Sequence, residues 1–421
     1  MLSAGAHPSR KRVILAIGGG IAAYKVCEVA STLAKAGVEV IPVLTEQAQR
    51  FITPLTLSTL CRHAAYTDEN FWSATQARPL HIELGESANL LVLAPLTANT
   101  LGKLSHGLAD NLLTNTVLAS TCPVLLVPAM NTDMWEQQSV QRNWTQLTTD
   151  PRYHTIAPGT GLLACDRIGQ GRMAEPVEIL AIADSLLLTH GKRDLFGKHL
   201  LISAGSTHEY LDAVRFIGNP STGKMGVALA QAAVHRGATV TLVHGPMAAE
   251  YLVAMTGIQR ISVTTAAEMQ TAMTAQLPQA DWIVMAAAVA DVKPRDRASD
   301  KLPKAALPEA LPLAPVADIV AHLAQIKFPH QILIGFAAQT GDIVAPARQK
   351  LATKGLNAIV ANPIDQADSG FGSEFNQAVL IAQTGDPLTV PHCSKRHLAH
   401  QIYDFVLTQV VAHIQPYQST A

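Results

Sequence analysis

Charge and aromatic rings are both scarce in this sequence. Of its 421 residues 15% are charged and 5% aromatic, and the formal net charge is -1. Without a basic excess, or a Lys/Arg run interleaved with aromatics, the chain lacks the means to hold a phosphate backbone, so nucleic acid is excluded as an expected partner. Cysteines are few: Cys27, Cys61, Cys122, Cys165 and Cys393 are odd in number, scattered, and form no C-x-x-C pair. That pattern excludes a zinc site and fits a reducing cytosol. At the N-terminus, "MLSAGAHPSRKRVILAIGGG" puts charge before an apolar run, but glycines break that run after about six residues, too few for a signal peptide. No run approaches the length needed to cross a membrane, so a cytoplasmic location is expected.

What is present is apolar and periodic. Hydrophobic residues make up 48%, and a chain this long exceeds one ordinary core, so two domains are expected. Short β-branched runs alternate with longer helical patterns, the grammar of βαβ units. In the first half "RVILAIG", "VEVIPVL", "NLLVLAP" and "CPVLLVPA" read as strands buried on both faces, and "AAYKVCEVASTLAKAG" as a helix stopped by Gly37. Near residue 190 the charged, Gly-containing joint "THGKRDLFGK" precedes a fresh strand. The expected division is therefore 1–190 and 191–421. In the second half "HLLISAG", "ATVTLVHG", "ADWIVMAAAVAD", "QILIGFAAQT" and "LNAIVAN" read as strands. The expected fold class is α/β, two Rossmann-like domains, each a mostly parallel sheet with helices on both faces. The Pro-rich run from Pro294 to Pro315 reads as a mobile loop, and "IQPYQSTA" as a frayed tail.

Two Gly-rich turns carry chemistry. "IGNPSTGKMG" begins as a Walker P-loop does, but Met225 stands where Ser or Thr must meet magnesium, and the nearest strand ends well upstream. What remains is a turn whose backbone amides suit an anion at the start of an apolar helix. "AIGGGIAAYK", Ala16 to Lys25, puts glycines between the first strand and helix, but Ala22 and Ala23 occupy the place of the third Gly of a dinucleotide fingerprint. A mononucleotide is the better expectation, with Thr45, Thr97, Asn99 and Thr100 offering polar groups at one rim of the sheet. Asp291 ends a strand, and Lys350 and Lys354 lie four apart on a helix and would share one face. A nicotinamide-dependent reductase would need G-x-G-x-x-G and a Tyr-x-x-x-Lys pair, and neither is suitably placed.

"GGGIAAYK", "HIELG" from His81, "APLTANTLGKLSHGLADNLL", "PAMN" from Pro128 and "ACDRIGQGRM" from Ala164 resemble, in order, the homo-oligomeric flavin-containing cysteine decarboxylases. The resemblance implies FMN bound by Gly19, Gly20, Ile21, Thr45, Thr97, Ala98, Asn99, Thr100 and Ala129. It further implies His81 as a catalytic group, Asn131 as a substrate contact and Cys165 as a proton donor on a Gly-rich flap. Asn131 also reads as a cap for a helix starting at Thr132. The implied chemistry is loss of CO2 from an N-acylated cysteine, with the flavin removing and then returning a hydride so that net redox change is zero. Gly18 departs from the Ser or Thr of many relatives, a change expected to remove one hydrogen bond near the flavin.

"ISAGSTHEYLDAVRFIGNPSTGKMG", "AAAVADVKP", "GFAAQT", "KLATKGLNAIVAN" and "GFGSEFNQAVLI" are similar, in order, to the phosphopantothenate-cysteine ligases. Together the two sets resemble the bifunctional coenzyme A biosynthesis family. The family implies 4'-phosphopantothenate, L-cysteine and CTP as substrates, phosphopantothenoylcysteine as the intermediate, and phosphopantetheine as the product. It implies Asn219 against an acyl-nucleotide, and CTP contacts from Ala287, Asp291, Lys301, Pro315, Val316, Ala317, Asp318, Phe336, Lys350 and Lys354. Mg2+ on the phosphates is implied as well, with no metal ligands readable from the sequence. A homo-oligomer is implied, trimers of the flavin half and dimers of the ligase half. Departures fall at Gly205-Ser206-Thr207, "DAVR" from Asp212, Pro303, "PVADIV" and Gln339. They are expected to slacken a turn and to lower nucleotide affinity or relax nucleotide choice, and they leave open an alternative in which the ligase half only binds or regulates.

Overall fold

The computed structural model describes residues 10–413 except 75–76, 164–165, 254–256, 308 and 366–369, with the backbone alone at 252–253 and 413. The chain divides into two compact units, one ending at Lys192 and the other beginning at Arg193. Cys165 and the tail "IQPYQSTA" from Ile414 on lie outside the described residues.

The first unit is built on strands β1 (Arg12–Ile17), β2 (Glu39–Leu44), β3 (Leu90–Leu96), β4 (Val124–Pro128) and β5 (Tyr153–Thr155). They form one parallel sheet in the order β2-β1-β3-β4-β5. Every residue of β3 is buried, because both faces of a parallel sheet are covered by helices. Successive residues feed opposite layers. Val13, Leu15 and Ile17 pack with Val26, Val29 and Leu33 of the helix Ala23–Lys35. Ile14 and Ala16 pack with Leu101, Leu104 and Leu113 on the other side. Each fully buried Leu or Val contributes about 1.5–3 kcal/mol, so these layers dominate the stability of the unit. Helix Ala23–Lys35 ends at Ala36, and Gly37 follows at φ 85°, where a side chain would be strained. The Gly-rich run after β5 forms an antiparallel hairpin of β6 (Gly159–Leu162) and β7 (Ile168–Arg172).

The second unit carries β8 (His199–Ala204), the short hairpin β9 (Glu209–Tyr210) and β10 (Phe216–Ile217), then β11 (Thr239–His244), β12 (Ile258–Ser262) and β13 (Trp282–Met285). Next come β14 (Val292–Pro294), β15 (Leu313–Pro315), β16 (Ile332–Gln339), β17 (Ala358–Pro363), β18 (Phe375–Ala382) and β19 (Leu388–Ser394). The main sheet runs β12-β11-β8-β13-β16-β17-β18-β19, parallel as far as β17 and antiparallel at its last two strands. Both units are therefore α/β with mostly parallel sheets.

Three details differ from the sequence reading. β18 and β19 extend the sheet past "LNAIVAN"; β19 is an edge with Pro391 and mostly exposed residues, and its apolar signal is correspondingly weak. The run Pro294–Pro315 is bracketed by pairing of β14 with β15 and tied within by Ala298 N–H to Leu211 O and Leu302 N–H to the Asp212 carboxylate. Strand "ADWIVMAAAVAD" stops at Met285, so Asp291 does not end a strand. Beyond Met285 the chain leaves the sheet to bond the end of β8 and the loop after it: Ala287 N–H donates to Ser203 Oγ, Ala288 N–H to Gly205 O, and Ala290 N–H to Thr207 Oγ1.

Candidate active sites

In the first unit the chain leaves β1 toward β2 on one side and β3 lies on the other. Between their carboxyl ends opens the crevice where α/β sheets of this order receive ligands. A cavity of about 570 Å³ lies there, lined by Gly19, Gly20, Ile21, Ala22, Tyr24, Lys25, Thr97, Ala98, Ala129, Met130, Asn131, Met134, Leu162, Leu163, Gly171, Arg172 and Met173. Seven of the expected residues thus meet: Gly19, Gly20, Ile21, Thr97, Ala98, Ala129 and Asn131. Thr45, Asn99 and Thr100 do not line it. The Thr45 hydroxyl donates to Ile17 O at 3.2 Å and accepts from Ala48 N–H, holding a neighbouring turn. Thr97 caps the helix Ala98–Ser105, accepting from Thr100 N–H and donating to the buried Thr100 hydroxyl.

The turn at Gly18 is tight. A Cβ there would stand 2.5 Å from Pro95 O and 3.1 Å from Thr97 Cγ2, so a Ser could enter only if the β3 rim moved. A Cβ on Gly20 would meet nothing closer than 3.8 Å, so its face is open. Ala22, at the N-cap of helix Ala23–Lys35, makes no side-chain cap bond, and no acidic residue lies in the first turn. Among the described residues the amides of Gly19, Ile21 and Ala22 have no acceptor in the chain. That is a set of orphan donors at a helix start, with an apolar hall of Met, Leu and Tyr behind it.

Asn131 has two roles in space. Its side-chain oxygen accepts from Asp133 N–H at 2.8 Å, capping the helix Thr132–Glu136, and it faces the cavity as well. The β6–β7 hairpin docks on this turn: Met130 N–H donates to Gly171 O at 3.0 Å, and Arg167 pairs with Asp133. Gly171 sits at φ 153° with Met130 O where a Cβ would be, so only glycine allows that approach. His81 lies on the helix Leu80–Ser87, edge-on to Phe71 with ring centres 5.4 Å apart, and is not part of this cavity's lining. Its Nδ1 is buried with no hydrogen-bond partner among the described residues.

In the second unit the corresponding crevice lies between β8 and β13, where strand order reverses. A cavity of about 550 Å³ there collects Asn219, Ala287, Asp291, Val316, Ala317, Asp318, Phe336, Lys350 and Lys354. Lys301 and Pro315 do not line it. The Asn219 amide donates to Ala288 O at 3.3 Å and Val289 O at 3.1 Å, which orients the side chain across the two loops. Asp318 caps the helix Ile319–Ile326 by accepting from Ala321 N–H at 3.0 Å, and pairs with Lys354 at 2.8 Å. A half-exposed pair of this kind is worth about 0–1 kcal/mol, so the cap, at about 1 kcal/mol, matters at least as much. Burial pushes the Asp318 carboxyl up, but Lys354 and the Ala321 amide outweigh it and hold the group below its usual range.

Lys350 and Lys354 share a face only in part. The helix ends at Thr353 and Lys354 is its C-cap. Lys350 reaches inward to donate to Phe336 O at 3.1 Å, and burial followed by the Lys354 charge lowers its pKa. "DAVR" keeps its turn without the family's proline: fully buried Asp212 accepts from the amides of Val214, Arg215 and Leu302 and from the Arg215 guanidinium. Sequence reasoning missed Lys224 and Lys395 as cavity side chains, with Ser221, Thr222, Asn362 and Asn376. In the first unit it missed Tyr24, Lys25, Met134 and Arg172. A lone Lys at a helix start carries no local signal of burial. Among the described residues no group of three His, Cys, Asp or Glu could hold a metal ion, and no helix is long and apolar enough to cross a membrane.

Residues 195–410 match the family model "DNA/pantothenate metabolism flavoprotein C-terminal domain", and residues 2–188 match "Flavoprotein". The chain is 40% identical over 394 residues to the coenzyme A biosynthesis bifunctional protein CoaBC of Bacillus subtilis (strain 168), covering 94% of this chain and 96% of the relative. The chain belongs to the bifunctional coenzyme A biosynthesis protein family. It is 38% identical over 410 residues to CoaBC of Mycobacterium bovis, with 94% and 96% of the two chains covered. The crystallised C-terminal domain of a CoaBC protein is similar at 32% identity and a TM-score of 0.43, covering 51% of this chain and 96% of that one. As a member of the CoaBC family the chain is a bifunctional enzyme that unites a decarboxylase with a ligase.

Proposed function

We propose that the second unit joins 4'-phosphopantothenate to L-cysteine using CTP and Mg2+, and that the first unit holds FMN and decarboxylates the resulting 4'-phosphopantothenoylcysteine to 4'-phosphopantetheine. The carrying observation is that full-length relatives match across both units and that each unit has its cavity at the point where strand order reverses. The orphan amides of Gly19, Ile21 and Ala22 suit the phosphate of FMN, and the apolar wall of Ile21, Met130 and Leu162 suits a flat ring system. When bound, FMN supplies a reversible acceptor for two electrons, so that CO2 can leave with no net redox change. The β6–β7 hairpin excludes water over Asn131, whose amide orients the substrate. Cys165 gives the final proton, since a thiol with a pKa of about 8.5 stays protonated near neutrality. His81 is the catalytic group of an adjoining copy, because its own chain's cavity does not include it. Exposed Ile21, Tyr24, Leu55 and Trp72 fit a homo-oligomeric contact, trimers of this unit and dimers of the other.

In the ligase, the carboxylate of phosphopantothenate attacks the α-phosphorus of CTP and pyrophosphate leaves. The cysteine amine then displaces CMP. Asn219 hydrogen-bonds the acyl-cytidylate, and Lys350 and Lys354 offset charge on the phosphates. The lysines and the uncapped start of the helix Lys224–His235 form a donor set suited to a triphosphate. Mg2+ fits as an ion held chiefly by those phosphates, with Asp291 or Asp318 as at most one or two protein ligands. The alternative, a ligase half kept only for binding, is not adopted: Pro303 lies outside the cavity lining, while Asn219 and both lysines remain within it. The chain works in the cytoplasm on small molecules. The test is multiple-turnover pyrophosphate release from CTP, with and without cysteine, together with the visible absorbance of the purified protein. Flavin absorbance and sustained release that requires both substrates are expected; colourless protein, or sustained release indifferent to cysteine, contradicts the reading.

A further inference from the structure

Two lysines of the ligase cavity, Lys224 and Lys395, were singled out neither by sequence nor by family resemblance, and Lys395 is the buried one. Lys395 opens the helix Lys395–Phe405, a position that normally faces solvent, yet it is only 6% exposed and its side chain lines the cavity. Its Nζ donates to Gly370 O at 3.0 Å and Ser373 O at 2.5 Å. An ammonium has three donors, so one N–H is left over. Among the described residues no carboxylate pairs with it. The nearby carboxylate of Glu374 is engaged by Lys224, whose Nζ also donates to Gly372 O at 2.8 Å. Burial, with the Lys224 charge beside it, draws the Lys395 ammonium down to about 8. A buried cation with an unused donor, its nearest carboxylate engaged by another lysine, is a state that an arriving anion relieves.

We infer that Lys395 binds a phosphoryl group of a ligand in the ligase cavity through its remaining N–H, while its other two donors hold the Gly370–Ser373 turn as the wall beside that ligand. The inference rests on the ligase reading. Two ligands bring that chemistry, the triphosphate of CTP and the phosphomonoester of phosphopantothenate, whereas cysteine brings none. The rival is a lysine that only pins the turn.

Steady-state ligation by the full-length chain, with each substrate varied in turn, separates these. Wild-type protein comes first: if it does not ligate, the ligase reading itself fails before Lys395 is tested. Lys395→Met removes the charge and all donors. Lys395→Gln keeps two donors for the turn and removes the charge, so it serves if the Met variant folds poorly. Both are expected to raise KM for one phosphate-bearing substrate by about ten- to a hundredfold, the loss of one charged hydrogen bond, with KM for cysteine within about twofold. Lys395→Arg is expected to recover most of the loss. The substrate whose KM moves names the source of the phosphoryl group. The inference is overturned if no KM moves, if all three rise together, or if kcat alone falls.

Discussion

The two cavities lie at equivalent points of two parallel sheets and have opposite walls. In the flavin unit the crevice is walled by Ile21, Met130, Met134, Leu162 and Met173, with Lys25 and Arg172 drawn to Glu175 at its edge. In the ligase unit Lys224, Lys350, Lys354 and Lys395 converge on a crevice of similar volume. One topology therefore supplies a place for a ligand, and the wall chemistry decides which class suits it: apolar sides suit a ring or an acyl chain, cations an anionic ligand. Changing a side chain in one wall should alter one activity and spare the other.

The largest such separation is expected at the thiol. Cys165→Ser should keep the flavin absorbance and full ligation but lower phosphopantetheine release about a thousandfold or more, the scale of removing a group that acts in the reacting step. Product chromatography checks it, and normal release in this variant would sink the proton-donor assignment. Asn219→Ala should lower ligation by about a hundred- to a thousandfold, while added phosphopantothenoylcysteine is still decarboxylated at the wild-type rate. Lys350→Met should weaken CTP use by about ten- to a hundredfold, one charged hydrogen bond. Coupled pyrophosphate assays of both variants show whether the two walls are independent.

Smaller effects sharpen the same comparison. Gly18→Ser should push on Pro95 O and destabilise the flavin unit by about 1–3 kcal/mol, read as lost flavin on dialysis and a lowered first melting transition. Asp318→Ala removes a helix cap and should cost about 1 kcal/mol at neutral pH. Because the Asp318 carboxyl is held low in the folded chain, its contribution is present above the ordinary carboxylate range and disappears as pH falls through the lowered value. The melting difference between Asp318→Ala and wild type should therefore shrink on acidification, as calorimetry between pH 7 and pH 3 would show.

Much of the fold could be read because both sheets are buried on two faces. Leu90–Leu96 and the run from Ile332 to Ala338 are apolar throughout, and such runs alternating with amphipathic helices leave few other solutions. The end of the second unit's sheet was harder: β18 is exposed at Phe375, and the edge strand β19 faces solvent along most of its length, so polar residues hide the pattern. The Ala-rich end of β13 misled for a different reason. The residues past Met285 bond Ser203 near the end of β8 and Gly205 and Thr207 in the loop beyond it, a long-range choice no local window contains. The sites divide in the same way. Glycine turns and Asn131 announce themselves by spacing, whereas Lys395 is a cavity residue only because a turn more than twenty residues earlier folds over it. Thr45 is held by its own turn, between Ile17 O and Ala48 N–H, and His81 packs edge-on to Phe71, placements that spacing alone does not reveal.

The central claim, that both halves of one chain work in series, is tested most directly by incubating the purified protein with phosphopantothenate, CTP, magnesium and cysteine labelled at its carboxyl carbon. Mass spectrometry then follows the label. The account predicts unlabelled phosphopantetheine, labelled CO2, and a labelled phosphopantothenoylcysteine intermediate that rises and then falls. Labelled intermediate that never loses its carboxyl, or no cysteine adduct at all, would contradict it and would name the half that fails.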